Sequence, residues 1–141
     1  MTPSQQYSYA VGRRKSSTAI VKLFPRGSGK FAVRQPNGKI QALVDYFGGN
    51  VHLLDNAMAP FFAIDKNLHK QFDAEIVISG GWISWQSDAI KLGFSRSLII
   101  SNPQHRLTLK PLRMLKRDGR IKERKKPGLK KARKAPTRSK R

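Results

Sequence analysis

Phe72 to Ser101 reads FDAEIVISGGWISWQSDAIKLGFSRSLIIS, and the fold class follows from the change of period inside it. Phe72, Ala74, Ile76 and Ile78 alternate with Asp73, Glu75, Val77 and Ser79, the two-residue period of a strand with one polar face. Gly80-Gly81 ends that strand. Ile83, Ala89, Ile90, Phe94 and Leu98 then share one helical stripe, which predicts a long helix over 83–101 packed on the sheet, with Asp88 placed to complement the positive helix start. A strand joined to a helix through a glycine corner is a β-α unit, so the chain reads as α+β.

Toward the N-terminus, Tyr7 to Phe24 is rich in β-branched and aromatic residues and alternates at the same period, which predicts the longest strand. Pro25-Arg26-Gly27-Ser28-Gly29 and Pro36-Asn37-Gly38 are turn signals flanking a short alternation at Phe31 to Arg34. The opening third therefore reads as an antiparallel meander. From Gln41 the period lengthens: Leu43, Tyr46 and Phe47 share a helix face that stops at Gly48-Gly49. Asn50 is the expected N-cap of a second helix over Val51 to Phe61, where Leu53, Leu54, Ala57, Met58 and Phe61 recur at three and four residues. Asn102 to Pro111 is expected to be a short helical or irregular bridge. Together these elements predict a small two-layer sandwich of helices on a sheet over residues 1–111, with one modest core.

Residues 112–141 differ in kind. Fifteen Lys or Arg stand there against Asp118 and Glu123, a net of +13 in a chain whose total is +21. Gly119, Pro127, Gly128 and Pro136 interrupt any helix and few apolar residues remain to bury, so an extended basic C-terminal arm is expected, ordering only against its partner. Ile40 to Ile90 has the opposite balance, six acids against Lys66 and Lys70, so positive charge collects at the two ends. Cations at this density repel one another unless a polyanion lies close, which points to nucleic acid. The plain alternative is a solubilising tail. Arginine content favours a bound arm, because the planar guanidinium contacts phosphate bidentately. The arm lacks the Trp, Phe and Leu face that would anchor it in lipid, so no membrane partner is expected.

Several chemistries are excluded. With no cysteine there is no disulfide, thiolate metal site or cysteine nucleophile. No apolar run approaches the roughly 20 residues of a transmembrane helix, and Met1 to Tyr9 lacks the apolar stretch of a secretory signal. His52, His69 and His105 stand at no recognised catalytic spacing, and His52 with Asp55 on one helix face falls short of the three or four ligands a metal needs. Gly27-Ser28-Gly29-Lys30 resembles the end of a phosphate-binding P-loop, yet Phe24 and Phe31 stand where that motif requires Gly and Ser or Thr. No enzyme, cofactor, metal or small-molecule substrate is expected.

Two clusters besides the arm are candidate RNA contacts. Arg13-Arg14-Lys15 follows Gly12 inside a strand pattern, where three bases cannot all face away from the core unless the strand bulges. Phosphate binding and protection of a strand edge both account for them. In Gly80-Gly81-Trp82-Ile83-Ser84-Trp85-Gln86 the glycines allow close backbone approach to a phosphate, and the two indoles offer stacking faces; a simple turn with buried Trp is the alternative.

These blocks resemble the bacterial-type small-subunit ribosomal protein nine family over nearly the whole chain. The match runs through Gly12-Arg13-Arg14-Lys15-Ser16-Ser17, then Gly80-Gly81 with Gln86, Ala89, Ile90 and Arg96, then Arg117-Asp118 and Glu123-Arg124-Lys125-Lys126-Pro127-Gly128-Leu129-Lys130-Lys131-Ala132-Arg133 to terminal Ser139-Lys140-Arg141. The resemblance implies a two-layer fold like the second domain of ribosomal protein five, seated in the small-subunit head. It also implies an arm that threads through ribosomal RNA to the peptidyl site. Arg13, Arg14, Lys15, Gly80, Gly81, Arg96, Arg117, Arg120, Arg124, Lys125, Lys126, Lys130, Lys131, Arg133 and Lys134 are the expected ribosomal RNA contacts, and Ser139, Lys140 and Arg141 the expected peptidyl-site tRNA contacts. Neighbouring head proteins are the other expected partners. Two departures stand out: the family has Gly at the positions of Trp82 and Trp85, and an aromatic residue where Thr137-Arg138 stand. No import sequence is seen, so the ribosome of a bacterial cytoplasm or of a plastid stroma is expected, the Trp pair favouring the plastid. A free nucleic-acid chaperone using the same charge is the competing reading.

Overall fold

The computed structural model describes residues 6–140. Strand β1 (Ser8–Arg14) turns back at Lys15-Ser16 into β2 (Ser17–Pro25), pairing antiparallel with Gly12 opposite Ala19. Tyr7 to Phe24 is therefore a hairpin and not one long strand. Lys15 takes a left-handed φ of 49° at the reversal, which the alternating pattern alone did not disclose. There follow β3 (Phe31–Arg34), β4 (Ile40–Ala42), the one-turn helix α1 (Leu43–Tyr46) and α2 (Val51–Ile64). A 3-10 turn at Leu68–Gln71 leads into β5 (Phe72–Ser79), α3 (Ile83–Ser101) and α4 (His105–Leu109).

The sheet order is β1-β2-β5-β3-β4, with β3 parallel to β5 and every other pair antiparallel. The expected meander is thus opened by β5, which inserts between β2 and β3. The connection from β2 to β3 makes room by crossing the start of β5. Backbone N–H groups of Ser28 and Lys30 both donate to the Asp73 carboxylate at 2.8 Å, and Gly27 N–H donates to Gln71 C=O at 2.9 Å. Those donors, Lys30 first, hold the Asp73 carboxyl below its ordinary range. Gly27 has no alternative there, since a Cβ would lie 2.1 Å from the Asp73 nitrogen.

One face of the sheet is the core. Ala19, Val21, Leu23, Val33, Ala74, Ile76 and Ile78 point to α2 and α3, which return Ala57, Met58, Phe61, Ala89, Ile90, Phe94 and Leu98. Phe31, Phe61 and Phe94 stack edge to face with centroids 5.0–5.7 Å apart. On the opposite face Glu75 pairs with Lys22 and Arg34 across three strands, so the α+β two-layer reading holds. The helical readings also hold. Asn50 caps α2 by accepting from Leu53 N–H at 3.3 Å, and the positive φ of Gly48 and Gly49 ends α1. Among the described residues no helix is long and apolar enough to cross a membrane.

The helix-sheet packing is closest at β1. A Cβ on Gly12 would stand 1.8 Å from Ala89 O and 2.5 Å from Gly93 N, and one on Gly93 would meet Val21 at 2.6 Å. Gly12 does not form the expected bulge, for it keeps regular register with Ala19 and its φ is not left-handed. Its role is to let the α3 backbone touch the strand.

Candidate nucleic-acid interface

Close packing of α3 on β1 brings the hairpin tip against the β5–α3 corner. Gly80 and Gly81, with φ near +70°, lie so near the tip that added Cβ atoms would fall 2.5 Å from Ser16 O and 1.8 Å from Ser17 Oγ. The Ser17 hydroxyl is buried beneath this corner without a hydrogen-bond partner among the described residues. Lys15 Nζ stands 4.3 Å from the Trp85 ring centroid, a cation–π contact that fixes the reversal to the first turn of α3. Trp82, by contrast, is 72% exposed. Sequence blocks some seventy residues apart thus form one surface.

The three bases of the tip have different environments. Arg13 and Lys15 are exposed, whereas the Arg14 side chain is only 14% exposed and held on three sides. Arg14 Nε donates to Asp88 at 3.3 Å, Nη1 to the Asp118 carbonyl at 3.1 Å, and Nη2 lies 3.1 Å from the Asp118 carboxylate. Asp88 also accepts from Asn56 at 2.9 Å and lies beyond the first turn of α3, so it serves these contacts and not the helix start. Asp118 in turn accepts from the Arg120 side chain and backbone. These bonds hold its carboxyl far below the ordinary carboxylate range and raise the Arg120 guanidinium. The root of the basic segment is clasped to the hairpin.

Beside this clasp opens a cleft of about 300 Å³. Arg13 and Lys91 line it from the body; Arg113, Lys116 and Arg117 line it from the segment after α4. None of these five has a carboxylate partner among the described residues, while the two acids on the rim, Asp88 and Asp118, are engaged by Arg14 and Arg120. Lys91, Arg113 and Lys116 were not singled out from sequence. For Arg113 and Lys116 the signal that could have found them is the rarity of acid in residues 112–141, where each of the two carboxylates is an internal clasp and marks where the chain folds on itself; nothing in the sequence marks Lys91.

Glu123 is the other clasp. It pairs with Lys126 and with Arg133, both at 2.9 Å, and Leu129 N–H donates to Lys126 C=O at 3.3 Å, closing a loop around left-handed Gly128. Lys126 and Arg133 thus share Glu123 while both remain exposed. Arg124, Lys125, Lys130, Lys131 and Lys134 are exposed without carboxylate partners among the described residues. Arg96 donates to the Val11 carbonyl at 2.8 Å, covering the free edge of β1, and lies one helical turn beyond Leu92 of the cleft. Ser139 and Lys140 are exposed; Arg141 lies outside the described residues. His52 and Asp55 are exposed on α2, and no group of three metal-ligating side chains occurs among the described residues.

Comparison with known proteins gives this surface a family. The family described as ribosomal protein S9/S16 matches residues 12–141. The chain belongs to that family. Its similarity to the small ribosomal subunit protein uS9 of Thermus thermophilus is 49% identity over 97% of this chain and 99% of the relative. Similarity to the uS9c proteins of two algae is 45% for Emiliania huxleyi, over 94% of this chain and 95% of the relative, and 42% for Gracilaria tenuistipitata, over 100% and 98%. Membership of the S9/S16 family makes this a structural ribosomal protein and not an enzyme.

Proposed function

We propose that this ribosomal protein is built into the small subunit by its ribosomal RNA, with residues 1–111 as the body, residues 112–141 as the arm, and the arm tip touching tRNA in the peptidyl site during translation. The observation that carries this is the cleft where hairpin, α3 and arm root meet. Five cations without acidic partners converge there, an arrangement that self-repulsion opposes until phosphates enter. Arg13, Lys15, Lys91, Arg113, Lys116 and Arg117 are the ligands facing the RNA backbone at this junction, and Arg14 holds the arm root in place. Along the arm, Arg124, Lys125, Lys130, Lys131 and Lys134 continue the charge; Lys126 and Arg133 shape its loop through Glu123.

A free nucleic-acid chaperone needs charge without an address. The ionic clasp fixing Arg14 to Asp118 argues for an address, because a tail that binds anywhere gains nothing from a set angle of departure. Neighbouring head proteins have a separate surface to meet. The groove between β3–β4 and α2 is apolar, with Ile40, Val44 and Phe62 exposed, and RNA phosphates do not suit it. The bacterial and algal uS9 and uS9c relatives fit a ribosome of bacterial type, in a cytoplasm or a plastid.

The test uses small subunits reconstituted with the full chain and with a chain lacking Lys140 and Arg141. Both are expected to co-sediment with the subunit through a high-salt wash. The shortened chain should hold peptidyl-site tRNA more weakly, by about 1.5–3 kcal/mol for each charge-assisted hydrogen bond removed. Release of the full chain by the wash would overturn the ribosomal address; unaltered tRNA binding would overturn the tip assignment.

A further inference from the structure

We propose that Trp82 is a stacking platform for one unpaired base of the RNA. The inference rests on the ribosomal RNA reading above and adds a residue and a ligand class to it. Trp82 stands 72% exposed immediately before α3, where its backbone is extended (φ −83°, ψ 156°) and makes no side-chain cap. A large apolar ring held in water is a liability in the free protein, and it is relieved when the ring is covered.

Three observations select the cover. First, the segment carrying the ring is fixed: Gly80 and Gly81 are seated on Ser16 and Ser17, and Gln86 reaches back to the Gly80 carbonyl at 3.0 Å. A pre-positioned aromatic face loses little freedom on stacking. Second, the neighbouring indole is occupied, since Trp85 carries Lys15 on its face, so the two rings have separate tasks and only Trp82 is free. Third, the corner is cationic. Arg13 and Lys15 are exposed at the tip, and the acid of this corner, Asp88, is taken up by Arg14 and Asn56. A bare π face beside free cations matches a nucleotide, which presents a base plane and a phosphate together. An apolar protein surface would satisfy the ring and leave the cations unanswered.

The chain contains two tryptophans, so the full-length Trp85→Phe variant has Trp82 as its single indole. Titrated with a transcript of the small-subunit head-domain ribosomal RNA, its emission should be quenched at least about two-fold with no blue shift, as stacking on a base requires. Binding is followed separately by filter retention. In the otherwise unaltered chain, Trp82→Ala should weaken retention roughly 5- to 100-fold, and Trp82→Tyr should restore most of it. Because no phosphate contact is removed, the slope of log affinity against log salt should stay the same. RNA retained with emission unchanged, emission shifted to the blue as under a protein cover, or affinity indifferent to Trp82→Ala would each overturn the stacking role alone. Failure of the unmodified chain to retain the RNA would overturn the ribosomal RNA reading and this role with it.

Discussion

Gly12 shows how a single missing methyl group positions the interface. Its Cβ would occupy the space of the Ala89 carbonyl, so any other residue pushes α3 off β1 and carries the Gly80-Gly81 corner away from the hairpin tip. Gly12→Ala should therefore cost about 1–3 kcal/mol, the usual range for overpacking a tight contact, read as a lowered denaturant midpoint at unchanged slope. An unchanged midpoint would show that the helix yields cheaply. The sequence announced that Gly12 mattered but not why. A glycine before three bases in a strand reads as a bulge, and only the partner shows that it serves close approach instead. That partner is Ala89 and Gly93, one turn apart on α3, whose role appears only once the helix is laid against Gly12. Trp82 and Trp85 make the same point. They look equivalent in sequence, yet one carries Lys15 and the other faces solvent.

Elements with strong internal periodicity were legible: β5, α3 and the capped α2 lie within a few residues of where their patterns put them. What could not be read was the insertion of β5 between β2 and β3, because strand order is set by contacts between residues distant in sequence, and alternation says which face is buried but not which strand is the neighbour. The docking of the arm root was hidden for the same reason. It joins Arg14 to Asp118, and nothing local to either announces the other. This joint makes a prediction about pH. The Asp118 carboxyl is depressed in the folded protein, chiefly by the Arg120 side chain and then its backbone N–H. Its contribution is therefore complete above the ordinary carboxylate range and is lost only as pH falls through and below that range. Backbone resonances of Arg117 to Gly119 should stay unchanged from pH 8 down to about pH 4 and sharpen toward free-chain values only well below it, as pH falls toward the depressed value. Asp118→Asn should show the sharp, mobile pattern already at neutral pH. If that variant keeps the parent line widths, the carboxylate is not what holds the root.

On the scale of the whole molecule, charge and shape divide the labour. The groove between β3–β4 and α2 is apolar, with Asp55 on its rim, while a cleft lined by five cations without carboxylate partners among the described residues opens where hairpin, α3 and arm root meet. In the proposed RNA reading, the tip side is the one that meets phosphate, and the Arg14–Asp118 contact sets where the basic segment departs from the body. The arm then adds fifteen bases whose order is punctuated by two acids and two left-handed positions, Arg113 and Gly128. Composition sets how strongly such a segment is drawn to phosphate; order sets where its bends fall. Scrambling residues 112–141 at constant composition separates the two. The scrambled chain should bind bulk RNA with similar affinity and the same salt slope, since the number of cations is unchanged. Its Asp and Glu would no longer meet Arg14, Lys126 and Arg133, so the root would detach and the bends would move. Small subunits assembled with it should then fail in translation although RNA binding persists. Full translation by the scrambled chain would mean that charge alone suffices, and the fixed root and shaped loop would have lost their purpose.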